Sequence, residues 1–197
     1  MALNDKEYKI KIMKQIIQIV LLVALVFGTS CNDDEPKFSS SEIQNAINDM
    51  KGTYYGKMDV SYYHGDRISE DKECKVVSND SLTVYMDLES LASTIADEAI
   101  AGRLRKIGVV EVRAAYDFCQ MDERMYHFVL LPKDVICLGG YGAPETVKIV
   151  FSQNFGGDAD CLYHDIMFNL SPKELWYGDK KYEPFRQLVY HYEVSRE

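Results

Sequence analysis

The feature that most constrains the fold of this 197-residue chain is an alternation of apolar and polar residues, repeated in short segments. In the first of these segments, Met58, Val60 and Tyr62 alternate with Asp59 and Ser61. Successive side chains of a β-strand point to opposite faces of the sheet, so each such segment predicts a strand with one buried face. Clusters of Gly, Asp, Asn and Pro separate the segments and predict turns between them.

Together these segments predict about eight or nine short strands. In a parallel sheet, strands alternate with long helical segments, and these segments do not. The predicted fold class is therefore mainly β (α+β), with an antiparallel sheet arranged as a barrel or as a two-layer sandwich. Within it, the charged segment 68–77 is predicted to be an edge strand, and the Gly- and Asp-rich segment 154–160 is predicted to be a loop.

Two segments instead repeat their apolar residues with helical spacing. The first predicts a helix at about 41–51, with Ser41 as its N-cap and Gln44 completing a capping box. The second predicts a helix at about 88–106, with acidic residues first and basic residues last, as the helix dipole favours. Because no linker or repeat divides residues 41–197, they are predicted to form a single globular domain.

The first thirty residues are predicted to be a lipoprotein signal peptide rather than part of the domain. Lysines precede an apolar segment at 16–27, which is shorter than the roughly 20 residues that span a bilayer. Three small residues then lead to Cys31 and resemble a bacterial lipobox. This resemblance implies cleavage after residue 30 and lipidation of Cys31. The alternatives are a plain signal peptide and a short membrane anchor.

Residues 31–40 are predicted to be a lipidated acidic tether. Asp33, Asp34 and Glu35 follow Cys31 closely, and three adjacent carboxylates stay solvated. They resemble the export signal of surface lipoproteins in the Bacteroidetes. The resemblance implies a protein anchored in the outer membrane by the lipid on Cys31 and exposed at the cell surface. A simple flexible spacer is the alternative.

The charge balance narrows the range of partners. The chain has 22 basic and 31 acidic residues, which gives a net charge of -9. Binding to nucleic acid depends on clustered cations, so this composition disfavours a nucleic-acid partner. Besides the membrane, the expected partners are a glycan, a peptide or a partner lipoprotein.

The cysteines do not indicate a disulfide framework. Without Cys31, the even number that remains would permit two disulfides in an exported chain. Their spacing indicates no pair, and a domain of this size can fold without cross-links. We therefore predict that most of them are reduced thiols; they are Cys74, Cys119, Cys137 and Cys161.

The histidines do not predict a metal site. His164 is expected on the apolar face of a strand with Leu162 and Ile166, and His191 on the polar face of another strand with Glu193. Ligands on opposite faces of a flat sheet cannot meet, so we predict no metal and no cofactor. Sequence motifs of serine hydrolases, phosphate-binding loops and zinc proteases are absent. Enzymatic activity is uncertain and is not favoured, and no catalytic residue is predicted.

Aromatic residues provide one candidate ligand surface. Trp176, Tyr177 and Tyr182 lie in a polar segment with Lys180 and Lys181. Exposed Trp and Tyr side chains are common in surfaces that bind sugars or proteins. The alternative is that these residues belong to a tyrosine-rich core.

Several segments carry a resemblance to known families. The sequence KGTYYG at 51–56 follows the first predicted helix, and DLESLA stands at 87–92. With the lipobox and tether, the chain resembles a Bacteroidetes surface lipoprotein family with no assigned function, the domain of unknown function 4840. The resemblance covers nearly all of residues 31–197 and implies no catalytic residues. The predicted helix followed by Gly-Thr-Tyr-Tyr-Gly is also similar to the opening of lipocalin-like barrels. Those barrels carry Gly-x-Trp near this point, and in this chain Tyr54 replaces the Trp.

Three functions agree with these features. The first is an uncharacterised cell-surface lipoprotein that acts as a non-enzymatic binding or accessory module. The second is a lipocalin-like carrier of a small apolar ligand, which requires a cavity inside a barrel. The third is a hydrolase of unknown class, which requires convergent catalytic side chains in a cleft.

Overall fold

The computed structural model describes residues 38–69, 71–139 and 145–196, which belong to one compact unit, Phe38–Glu197. The predicted signal peptide and residues 31–37 of the predicted tether lie outside these ranges. Residues 38–40, which were also assigned to the tether, lie inside these ranges, and the first helix begins there at Ser40. The residues outside them include the predicted lipidation and export residues, Cys31, Asp33, Asp34 and Glu35.

The described residues form a mainly β structure, as predicted. Its strands are β1 (Gly52–Tyr62), β2 (Lys72–Ser78), β3 (Leu82–Asp87), β4 (Val109–Met121), β5 (Met125–Pro132), β6 (Val135–Cys137), β7 (Val147–Phe151), β8 (Gly156–Asp160), β9 (Asp165–Leu170), β10 (Pro172–Tyr177), β11 (Lys180–Lys181) and β12 (Leu188–Ser195). Eight of them close into an antiparallel barrel in the order β1-β2-β3-β4-β5-β8-β9-β12, and β12 pairs with β1. The structure thus selects the barrel over the sandwich.

Closure of the barrel corrects the prediction of an edge strand at 68–77. The corresponding strand, β2, pairs with β1 on one side and with β3 on the other. Glu73 and Lys75 are exposed on its outer face, whereas Val76 is fully buried. The charges therefore mark the outer surface of a barrel wall, because alternation reports which face meets water and not whether a strand has two neighbours.

The remaining four strands form a small sheet in the order β11-β10-β7-β6. It continues from the barrel, because β7 leads into β8 and β9 leads into β10. A hydrogen bond of 2.8 Å from the Ser152 amide to the Ser171 carbonyl links the two chain segments where they leave the barrel. Val147, Ile149 and Leu175 of this sheet are fully buried in the common core.

The first predicted helix is confirmed as α1 (Ser40–Asp49), but its cap differs from the prediction. Ser39, not Ser41, is the N-cap, and Glu42 completes the capping box in place of Gln44. Glu42 also provides the negative charge that the first turn favours. Its pKa is lowered, chiefly by the hydrogen bond that the carboxylate accepts from Ser39.

The helix predicted at 88–106 is present as two shorter helices, α2 (Glu89–Ser93) and α3 (Glu98–Ile107). Asp97 interrupts the helical pattern, because its side chain accepts hydrogen bonds from the amides of Ala99 and Ile100 and so begins a new helix.

Among the residues that the structure describes, no helix is both long and apolar enough to cross a membrane.

Side chains fill the interior of the barrel. If a water-sized space lay between the inward-facing residues, these residues would show accessible surface towards it. Instead, none of the following inward-facing residues is more than 6% exposed: Tyr54, Met58, Val60, Val76, Leu82, Val84, Met86, Val112, Ala114, Phe118, Phe128, Leu130, Ile166, Phe168, Leu170, Leu188, Tyr190, Tyr192 and Val194. These residues form a packed core, and Cys74, Tyr116 and Tyr126 on the same faces are half-buried against it.

Candidate functional site

The structure separates the three residues of the predicted aromatic ligand surface. Trp176 and Tyr177 are consecutive in β10, so their side chains point to opposite faces. Tyr177 and Tyr182 pack against the core, and the Tyr182 hydroxyl accepts a 3.2 Å hydrogen bond from the Ala96 amide. Trp176 instead donates a 3.0 Å hydrogen bond to Glu174. Only Trp176 thus remains on the outer face of the small sheet.

A different surface has the features of a binding site: the outer face of β8, β9 and β12. It contains a depression of about 400 Å³. We call this surface the acidic face and define it by five of the residues that line the depression, namely Asp158, Asp160, Asp165, Met167 and Glu193.

Strand register brings the residues of the acidic face together. Met167 of β9 lies directly opposite Asp158 of β8 on one side and Glu193 of β12 on the other. In the adjacent row, Asp165 lies opposite Asp160. Residues directly opposite in an antiparallel pair have side chains about 5 Å apart on the same face. The face is therefore an exposed methionine flanked by carboxylates.

Strand β8 was predicted to be a loop, and this prediction is wrong. Its glycines fit close contacts on both sides: a Cβ at Gly156 would lie 1.9 Å from the Phe128 carbonyl oxygen, and one at Gly157 would lie 1.9 Å from the Met167 carbonyl oxygen. Such a segment carries little apolar alternation, so the neighbouring strands rather than its own pattern define it as a strand.

Two carboxylates of the acidic face have partners within the protein. Asp158 is 2.5 Å from His127 Nδ1, and Asp160 accepts hydrogen bonds of 2.9 and 2.8 Å from the Arg124 guanidinium. The hydrogen bond from Arg124 is the main reason that the pKa of Asp160 is lowered. Asp160 is therefore held as a carboxylate and is already neutralised.

Asp165 and Glu193 differ from these two carboxylates. Within residues 38–69, 71–139 and 145–196, no ion pair or side-chain hydrogen bond reaches either of them. Both line the depression. These two carboxylates are therefore available to form an ion pair with a basic group of another molecule.

Exposed apolar side chains border the acidic face. Leu162 and Tyr163, in the turn between β8 and β9, are 65% and 62% exposed, and Met167 is 53% exposed. The Arg124 guanidinium lies over the Tyr163 ring, 5.0 Å from its centroid. Large apolar side chains grouped at one surface are typical of a site that contacts another molecule.

A chain of polar side chains adjoins the acidic face. Ser61 Oγ lies 2.8 Å from His191 Nε2, and His191 Nδ1 lies 2.6 Å from Asn169 Oδ1. A second depression of about 240 Å³ is lined by His191 and by Glu193, which also lines the first. The sequence correctly placed His191 with Glu193 on the outer face of β12. It did not pair His191 with Ser61 and Asn169, because pairing depends on strand register.

His164 corrects another prediction. It lies in the turn before β9 rather than on the apolar face of a strand, and its backbone is left-handed, with φ 57°. Its Nδ1 is 2.8 Å from the Arg196 guanidinium. Such a backbone is favourable in turns and not in strands. Leu162 and His164 therefore do not belong to the alternating pattern that Ile166 continues in β9.

In the described part of the chain, no three metal-binding side chains converge on one point.

In the described structure, no disulfide joins Cys74, Cys137 or Cys161. Burial raises the pKa of the Cys74 thiol to about 11, and it also raises the pKa values of Cys137 and Cys161. Since the thiolate is the reactive form, these three thiols are poor nucleophiles at neutral pH. They do not provide a reactive site.

Comparisons with known proteins add no relative: no family model, no curated protein and no solved structure matches this chain. The eight-stranded barrel is compatible with a lipocalin-like architecture. The resemblance to a Bacteroidetes lipoprotein family stays a prediction. The candidate sites therefore have to be interpreted from their geometry and chemistry alone.

Proposed function

We propose that this protein is a cell-surface lipoprotein whose acidic face binds a partner that combines basic and apolar side chains. One observation carries the proposal: the exposed Met167 lies directly between Asp158 and Glu193, next to Asp165. Glu193 and Asp165 have no charged partner among the described residues. A lysine or arginine of a partner would supply the missing charge, and an adjacent apolar side chain would cover Met167.

The energetic contributions of the two kinds of contact differ. Exposed ion pairs typically contribute at most about 1 kcal/mol each, whereas burying a large apolar side chain contributes about 1.5–3 kcal/mol. Leu162, Tyr163 and Met167 would therefore provide most of the affinity. Asp165 and Glu193 would select a basic partner and orient it. A peptide segment or a loop of a partner lipoprotein matches this chemistry better than a glycan, because the face has no exposed aromatic platform beyond Tyr163.

The proposed location is the outer membrane, with the lipid on Cys31 as the anchor. The apolar segment before this cysteine and the acidic residues after it support this location. An anchored domain with a binding surface on its barrel wall could meet partners on the same membrane or outside the cell.

The carrier hypothesis receives less support than the binding hypothesis. A carrier requires space for a ligand of several hundred Å³ inside the barrel. Inward-facing residues such as Leu130, Leu170 and Tyr190 are fully buried, which does not support such a space among them. The barrel wall, and not its interior, is therefore the proposed location of binding.

A pair of defined peptides tests the proposal. One peptide alternates Lys and Leu, the second replaces each Lys by Glu, and fluorescence anisotropy measures binding of each to the full chain. We expect binding of the Lys-containing peptide only. The double variant Asp165→Asn with Glu193→Gln should weaken this binding at least about tenfold, as expected for the loss of about 1.4 kcal/mol.

A matched double variant controls for the change in net charge. Glu73→Gln with Asp80→Asn also removes two carboxylates, from exposed positions on β2 and on the turn after it. This control should bind the peptide as the unchanged protein does. Equal weakening by both double variants would show that the effect comes from net charge alone. It would contradict specific binding at the acidic face.

A further inference from the structure

Three side chains from three adjacent strands form a continuous hydrogen-bonded chain on the outer wall of the barrel. Ser61 of β1 contacts His191 of β12, which contacts Asn169 of β9. His191 and Asn169 are direct cross-strand partners. Asp59 lies opposite His191 on β1, and Ser61 is the next residue on the same face. Three rigid strands therefore hold the chain in place.

The partners of the imidazole determine where its proton lies. Asn169 Oδ1 faces His191 Nδ1 at 2.6 Å, and because an amide oxygen can only accept, this hydrogen bond forms in the tautomer with the proton on Nδ1. In this tautomer Nε2 carries a lone pair and accepts a 2.8 Å hydrogen bond from the Ser61 hydroxyl. A serine hydroxyl bonded to a basic imidazole, which a third group orients, is the arrangement that activates a serine nucleophile.

We propose that Ser61 is a nucleophile that cleaves small polar esters, with His191 as its general base and Asn169 as the residue that positions His191. The inference is independent of the proposed binding function. Ser61, His191 and Asn169 are not part of the acidic face, although Glu193 lines the depressions of both sites.

The neighbouring depression indicates the class of substrate. Its volume of about 240 Å³ suits a small acyl group and is below the usual 300–1,000 Å³ of sites for larger ligands. Charged side chains line it, among them Lys57, Asp59, Arg67 and Glu193. A small ester that carries polar groups fits this lining better than a long-chain lipid does.

Arg67 is a candidate for stabilising charge in the transition state. Its backbone forms a β-bridge with Ser61, and its side chain lies in the same depression as His191. In the free protein, Arg67 pairs with Asp59 at 2.8 Å and with Asp71. A negative charge that develops on a carbonyl oxygen beside Ser61 would compete with these carboxylates for the guanidinium.

The reaction follows from these positions. Ser61 Oγ forms a bond to the carbonyl carbon of the ester, and its proton passes to His191 Nε2. The bond from carbon to the alcohol oxygen then breaks, and the proton on Nε2 passes to the departing alcohol. Water attacks the acyl-serine by the same route, which releases the carboxylic acid and restores the serine. No reactant other than ester and water is required.

Asn169 is a positioning residue, because it acts on the ester only through His191. A neutral amide orients the imidazole but does not stabilise its protonated form as a carboxylate does. We therefore expect slow turnover in the natural chain. Asn169→Ala should lower the reaction rate, and Asn169→Asp should restore it or raise it above the original value. A merely structural role for Asn169 would not produce that increase.

A fluorophosphonate probe tests the nucleophile in the full chain. We expect a single adduct on Ser61, identified by peptide mass spectrometry, and slow hydrolysis of p-nitrophenyl acetate. Ser61→Ala and His191→Ala should each reduce labelling and hydrolysis at least about 100-fold, the usual lower range for general-base catalysis. Ser195→Ala is the matched control, since it removes an exposed serine from the same wall.

Two outcomes would overturn the proposal. One is the absence of an adduct on Ser61 while circular dichroism shows a folded chain. The other is undiminished labelling of Ser61 in His191→Ala, because the hydroxyl would then not depend on the imidazole. Both readouts apply to folded protein, so loss of structure in a single variant does not decide the result.

Discussion

Tyr192 of β12 stacks on Phe168 of β9 inside the barrel, with ring centroids 4.6 Å apart and planes inclined by 4°. The two residues are direct cross-strand partners. Tyr192 is 1% exposed, and its hydroxyl has no hydrogen-bond partner within the described ranges. Its ring therefore stabilises the core, whereas its buried hydroxyl destabilises it.

Replacing Tyr192 by Phe should consequently stabilise the protein. The substitution removes the unpaired hydroxyl and keeps the ring, so we expect the free energy of unfolding to rise by about 1 kcal/mol in urea titrations. Tyr54→Phe is the matched control, because the Tyr54 hydroxyl donates a buried 2.8 Å hydrogen bond to the Met50 carbonyl. It should lower the same quantity by about 1 kcal/mol. Equal destabilisation by both substitutions would contradict this interpretation of Tyr192.

The ion pair of Asp160 with Arg124 should make stability depend on pH in the acidic range. The pKa of Asp160 is lowered in the folded protein, whereas an unfolded aspartate has a pKa of about 3.9. The unfolded chain therefore binds the proton more readily, so this contribution to stability is present above about pH 4 and is lost as the pH falls further.

Asp160→Asn isolates this contribution. We expect the urea midpoint to fall less between pH 6 and pH 3 in the variant than in the unchanged protein. Asp80→Asn, in an exposed turn, should leave the original dependence intact. An unchanged pH dependence in Asp160→Asn would show that the ion pair does not contribute.

The cysteines should behave as reduced thiols with different reactivities. Alkylation of unfolded protein without reductant should modify most of them, and two protected pairs would instead demonstrate disulfides. In folded protein, the exposed Cys119 should react first. Cys74 should react most slowly, because burial raises its pKa to about 11. Mass spectrometry of timed samples measures both orders.

The predicted lipid anchor can be tested at Cys31. Cys31→Ala should release the protein from the membrane and abolish incorporation of labelled palmitate, because the cysteine is the only proposed attachment site. Cell fractionation gives the first readout and radiolabelling the second. Continued membrane binding of the variant would identify the apolar segment at 16–27 as the anchor instead.

The predicted export signal can be tested separately from the anchor. Changing Asp33, Asp34 and Glu35 together to Ala should leave a lipidated protein that faces the periplasm. Protease treatment of intact cells should then no longer degrade it, while the unchanged protein is degraded. Equal degradation of both proteins would show that these residues act only as a spacer and not as an export signal.

Strand β12 shows how far alternation alone could predict the fold. The sequence placed Tyr190, Tyr192 and Val194 on one face and His191 and Glu193 on the other, and the structure buries only the first set deeply. This prediction succeeds because side-chain direction within a strand follows from local backbone geometry. The helical spacing also placed α1 approximately, but its cap was predicted two residues too late, at Ser41 instead of Ser39.

Predictions failed where distant residues decide the local structure. The segment at 156–160 forms β8 because β5 and β9 pair with it, although its sequence has few apolar residues. The division of the predicted helix at 88–106 was missed for a different, local reason. Asp97 caps the amides of Ala99 and Ile100, but the same side chain could equally have faced solvent within one helix.

The sequence by itself determined which residues of strands such as β1, β4 and β12 face the core, the approximate positions of the helices and the features that predict export. It could not determine whether the sheet closes or which polar residues become neighbours. Ser61 and His191 are 130 positions apart, and Asp158 and Glu193 belong to strands that both pair with β9. Only the tertiary structure decided these contacts, because strand register depends on pairing across the whole barrel, whereas alternation depends on each strand alone.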